Sequence, residues 1–156
     1  MTGFRASAVG ALTAALVVGG AAAPAAAKVK FTSIHYNVGS TVLTNSNINK
    51  EFVTIKNTGR HAVRLHGWKI VDRRQSTTGS NAAYVFKGHA RLRPGHSLRL
   101  HSGKGRDTRK NKYWGLSRFR WNDGPSGDTA YLNKRSGKLV DSCSYTPAAN
   151  PSPAPC

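Results

Sequence analysis

The sequence predicts an all-β fold, a sandwich of two sheets, and three observations lead there. Short segments rich in β-branched and aromatic residues recur along the chain, separated by turn residues roughly every 8–12 positions. No apolar helical period is present after residue 27. What remains, residues 28–156, is enough for one domain with a single core and too little for two.

Residues 1–27 read as a targeting segment. Arg5 is a minimal positive region, residues 6–20 are an uncharged run of mainly Ala, Val and Leu, and Ala25-Ala26-Ala27 offers small residues for cleavage after Ala27. Export to the extracellular side is the expectation, with no membrane span in the mature form. An uncleaved anchor is the alternative, since the run nearly suffices to cross a bilayer.

The elements follow in order. Residues 29–36 open the domain as a strand, and residues 37–49 form a polar loop. Residues 50–56, KEFVTIK, alternate in side-chain type and are rich in strand formers. Asn57-Thr58-Gly59 supplies a turn, because Gly tolerates φ > 0 and Asn bonds its own backbone. Residues 62–72 give another strand with Val63, Leu65 and Ile70 as core candidates, interrupted at Gly67 before Trp68. After a polar loop at 73–81 comes a strand at 82–87, then the turn Leu92-Arg93-Pro94-Gly95. In residues 97–101, Leu98 and Leu100 face one way and Arg99 and His101 the other. Residues 102–127 carry few strand signals apart from 112–115. The strands 128–133 and 138–145 close the domain around the loop Lys134-Arg135-Ser136-Gly137, and a Pro-rich tail, 146–156, is expected to form no core element.

Several of these blocks, in this order, resemble the lamin-tail domain family over residues 28–145. Residues 49–57 are similar to its N-x-E-aromatic-V-x-I-x-N strand, and residues 65–72, LHGWKIVD, to its L-x-G-W-x-L-x-D strand. Phe86 followed by Leu92-Arg93-Pro94-Gly95 resembles its aromatic and L-x-P-G turn, and Gly103-Lys104-Gly105 its Gly-rich exit. Trp121-Asn122, residues 127–132 and residues 137–142 match its closing strands. His66, where a small hydroxyl residue is commoner, and the Cys-containing tail depart from the pattern. The resemblance implies an immunoglobulin-like sandwich that serves as an interaction module, contacting proteins and DNA in lamins and accompanying secreted or surface enzymes in bacteria.

The charge is the second informative property. Lys and Arg number 24 against 6 Asp and Glu, a formal net charge of +18, of which the leader holds only Arg5. Self-repulsion of this size opposes compaction. Either it serves attraction to a polyanion, or it reflects extracellular solubility or a general basic bias. The densest run lies between residues 104 and 120, with Lys104, Arg106, Arg109, Lys110, Lys112, Arg118 and Arg120 against Asp107. These cations suit phosphate oxygens. Tyr113, Trp114, Phe119 and Trp121 are interleaved with them, either to stack on bases or sugars or to plug a long loop onto the core. Arg60, Arg64, Arg73 and Arg74 form a secondary basic group.

Other constellations favour structural roles. Glu51, the only glutamate, suits an internal hydrogen bond or salt bridge, and Trp68 suits burial. His61, His66, His89, His96 and His101 lack recurring ligand spacing, so no metal is expected. Asp123 and Asp128 bracket Gly-Pro-Ser-Gly, a turn without the oxygen donors of a calcium loop. No nucleophile sits in an activating context and the few acids are scattered, so no enzyme, cofactor or small-molecule substrate is expected. Cys143 and Cys156 are expected to pair within the chain, although a terminal cysteine also suits an intermolecular bond. The sequence thus predicts a secreted, non-catalytic binder of DNA or an anionic wall polymer. The alternative is a structural or protein-interaction role at the cell surface, through sheet edges or a Cys156-linked dimer.

Overall fold

A computed structural model describes residues 29–73 and 83–156. The expected leader with its cleavage point, Arg74, and most of the expected 73–81 loop lie outside the described residues. The described chain forms eleven strands and one helical turn: β1 (Val29–His35), α1 (Asn45–Ile48), β2 (Phe52–Asn57), β3 (Val63–Arg64), β4 (Lys69–Asp72), β5 (Ala83–Val85), β6 (Arg91–Leu92), β7 (Ser97–His101), β8 (Asn111–Tyr113), β9 (Asp128–Asn133), β10 (Leu139–Tyr145) and β11 (Ala154–Pro155).

Two sheets face each other, one in the order β11-β1-β2-β7-β8 and the other in the order β10-β9-β4-β5. A two-stranded ribbon, β3-β6, stands beside them. Every pairing is antiparallel except β7 with β8, which run parallel. This is the predicted immunoglobulin-like sandwich. Val53, Ile55, Leu98 and Leu100 point inward from the first sheet and Ile70, Ala130 and Leu132 from the second, all essentially inaccessible to solvent. Leu65, Phe86 and Leu92 fill the end of the core nearest the ribbon.

Local departures from alternation have local causes. In β1, Val29 and Phe31 are buried but the next buried residue is Ile34, because the register against β2 shifts between Phe31 and Ser33. The extra residue of this bulge moves the core-facing set by one position. The strand expected at 62–72 is split into β3 and β4 at Gly67, whose φ of +77° disfavours a side chain. The polar 37–49 loop contains one unpredicted helical turn, α1, whose N-cap Thr44 accepts from the Asn47 N–H through its side chain.

The tail corrects the expectation most sharply. Residues 154–155 form β11, which pairs with β1, and Ala154 is fully buried in the core. Tyr36 Oη donates to the Asn150 carbonyl at 2.7 Å, and the Tyr36 and Asn37 N–H groups donate to Ser152 Oγ. Cys156 is disulfide-bonded to Cys143 on β10, so the bond ties the edge of one sheet to the edge of the other. Both cysteines are thereby paired within the chain. Among the described residues, no helix is long and apolar enough to cross a membrane.

Candidate functional site

The long segment after β7 is held to the sandwich at three points. At its start, the Lys104 N–H donates to Asn45 Oδ1 at 2.7 Å, while the Asn45 and Asn49 side-chain amides donate to the Lys104 carbonyl. The α1 turn is thus a buttress for this loop. In the middle, Thr108 Oγ1 accepts from the Lys110 and Asn111 N–H groups, and Asp107 Oδ1 accepts from the Tyr113 N–H. At its end, Glu51 accepts from the Arg120 N–H (2.6 Å) and the Trp121 N–H (2.9 Å). Glu51 is fully buried, and that desolvation pushes its carboxyl up to about 7, against the opposing pull of Ser102 and the two backbone donors. The predicted structural role of Glu51 is therefore observed.

The seven cations predicted from this segment separate into different roles. Arg109, Lys110 and Lys112 line surface hollows, as described below. Lys112 also pairs with Asp107 at 3.2 Å. Lys104, Arg106 and Arg118 are exposed but line none of these hollows. Arg120 is a correction to the predicted binding set. Its Nε lies 2.7 Å from the buried Asp72 carboxylate and its guanidinium sits 4.9 Å from the Trp114 ring centre, so it serves the interior.

Three of the interleaved aromatics, Tyr113, Trp114 and Trp121, are engaged within the fold. Trp121 is buried and Trp114 packs against the core. Tyr113 stacks on His101 with ring centres 5.0 Å apart. His101 in turn bonds the Asn49 carbonyl at 2.7 Å and Asn111 Oδ1 at 3.1 Å. Asp128 accepts from the Asn122 and Thr129 N–H groups, which is the predicted turn role. Among the described residues, no three His, Cys, Asp or Glu side chains gather as a metal site would require.

The sequence reading missed the surface beside this loop. Lys87, His89, Arg91 and Arg93 alternate in sequence with Gly88, Ala90 and Leu92, and the chain turns at Gly88-His89, with Gly88 at φ +60°, before β6. That alternation was the available signal. Leu92 is buried while Lys87, His89, Arg91 and Arg93 are exposed. The segment is fixed by backbone bonds and by Asn57, a buried side chain whose amide donates to the Leu92 carbonyl at 2.9 Å. Arg93-Pro94-Gly95-His96 then turns with the His96 N–H on the Arg93 carbonyl and Gly95 at φ +73°.

Three adjoining hollows of about 650, 630 and 530 Å³ run along this segment, and Arg91 lines all three. Arg64 and His66 flank the first, Lys87 and Lys112 the second, and Lys110 the third, while Arg93 and Arg109 line the second and third. The one acid lining them is Asp107, already paired with Lys112. Arg64 and Arg91 are direct cross-strand partners in the β3–β6 ribbon. Like charges placed directly opposite one another are destabilising.

The sequence profile of the lamin tail domain matches residues 22–147, most of the chain. The chain belongs to the lamin tail domain family. No curated protein matches the chain as a relative. Lamin tail domains are β-sandwich binding modules and not an enzyme family, and this member carries a disulfide-bound tail strand and a basic groove. The family match accounts for the sandwich; the groove is built from side chains that the quoted family motifs mostly do not specify.

Proposed function

We propose that this lamin tail domain is an exported, non-catalytic protein that binds extracellular polyanions, DNA or an anionic wall polymer, through its basic groove. The observation that carries this reading is the groove lined by Arg91, Arg93, Arg109 and their neighbours, with its single acid already engaged. A concave surface of one charge sign concentrates field and draws in a polymer of opposite charge. The Cys143–Cys156 bond supports an oxidising location, and the leader reading of residues 1–27 supplies the route.

The test is binding of the purified protein to DNA and to wall polymer across a salt series. Affinity should fall steeply as salt rises, and replacing Arg109 and Lys110 with Gln should lower the salt slope by about one for each lost phosphate contact. Absence of binding to either polymer at low salt would end this reading.

A further inference from the structure

We infer that the groove's ligand is a single, extended phosphodiester chain, held by its phosphates alone, with the Arg64–Arg91 pair of the β3–β6 ribbon as the seat of one phosphate. This deepens the polyanion reading and rests on it. Three features lead to it.

The first is the ribbon itself. Arg64 and Arg91 face one another in register, and the hollow they share is lined by Arg64, His66, Gly88, His89, Ala90 and Arg91, without an acid. Two opposed guanidiniums repel until an anion lies between them, and a phosphate can take hydrogen bonds from both.

The second is shape. The hollows, at about 530–650 Å³ each, are the size of ordinary ligand pockets and adjoin through Arg91. A flexible single chain can lay successive phosphates along them, whereas a duplex presents a convex surface that touches only their rims.

The third is the chemistry of the lining. No Phe, Tyr or Trp ring lines any of the three hollows, whose only rings are the small imidazoles of His66, His89 and His96. A smaller adjoining hollow of about 370 Å³ does contain Tyr84, Tyr113 and Trp114. Its rings are already engaged: Tyr113 stacks on His101, Arg120 lies over Trp114, and Tyr84 packs edge-on against Phe86 and Trp114. Base stacking, the usual sequence-tolerant grip on single strands, has no large free platform along the track. The ligand is therefore read through the backbone chemistry that single-stranded nucleic acid and glycerol-phosphate wall polymers share.

The experiment measures affinity at low salt for five length-matched probes: single-stranded DNA, the same strand with abasic sites throughout, poly(glycerol phosphate), duplex DNA and polyglutamate. The first three should bind within about threefold of one another, and duplex and polyglutamate about tenfold or more weakly. A marked preference between DNA and poly(glycerol phosphate) identifies the source but overturns a grip by phosphates alone. The double variant Arg64→Gln/Arg91→Gln should weaken the first three together by about tenfold or more. Its melting temperature should stay level or rise, because it relieves a like-charge pair, and this separates lost binding from lost folding. Weaker binding of the abasic strand would show that bases are read, and wild-type binding by the double variant would remove the ribbon from the site. If that variant binds normally while Arg109→Gln/Lys110→Gln does not, this inference fails and the broader polyanion reading stands. Absence of binding to all five probes defeats both.

Discussion

Glu51 shows how much one side chain can do in a sandwich with few acids. It carries the end of a long surface segment on two backbone hydrogen bonds while lying wholly out of solvent. Its carboxyl rises from 4.5 to about 7 chiefly through desolvation. Between these values the folded state holds a proton that the unfolded chain has released, so its contribution is fully present below about 4.5 and is lost as pH rises through about 7. The loss is on the order of 3 kcal/mol. Glu51→Gln should flatten urea-unfolding stability across that window, and a variant retaining the full wild-type slope would assign the effect elsewhere. At this scale the sequence was informative about Glu51 and Trp121. It misassigned Arg120, because its partner Asp72 lies far away in the chain and only tertiary structure brings the two together.

Among the elements, the long alternating strands were legible because their side-chain period carries the signal, as in residues 52–57 and 97–101. Strands of two or three residues carry too little pattern. β6 reads as a turn in sequence and exists because Arg91 and Leu92 find β3. β11 contains Pro155, which cannot donate to a ladder, and its place depends on the disulfide and the Tyr36 contacts. The groove was half legible for the same reason. The 104–120 charge run was visible in sequence, whereas Arg64, Lys87, Arg91 and Arg93 gather only once the ribbon folds beside β7. Cys156→Ser should cost about 3 kcal/mol by urea unfolding, since the bond closes a loop spanning 13 positions. Amide exchange should quicken first along β1, where β11 pairs. An unchanged unfolding curve would mean that the tail stabilises nothing.

The whole molecule carries a formal charge of +18, with 6 acids against 24 Lys and Arg. Raising ionic strength from about 10 mM to about 150 mM shortens the Debye length from roughly 30 Å to roughly 8 Å. Self-repulsion should then weaken and the melting temperature rise, while polymer affinity falls over the same range. Opposite responses of stability and binding to one variable are the signature expected of charge retained for association. A melting temperature that dropped with salt would show that the charges are already balanced in the fold. The tail strand also has a kinetic consequence. β1 is made first and one of its two partners, β11, is made last, so one side of β1 stays open throughout synthesis. Such an unpaired edge invites pairing with other chains. Oxidation of Cys143 and Cys156, which fastens the end of β11 to β10, shortens the time for which this seam is exposed.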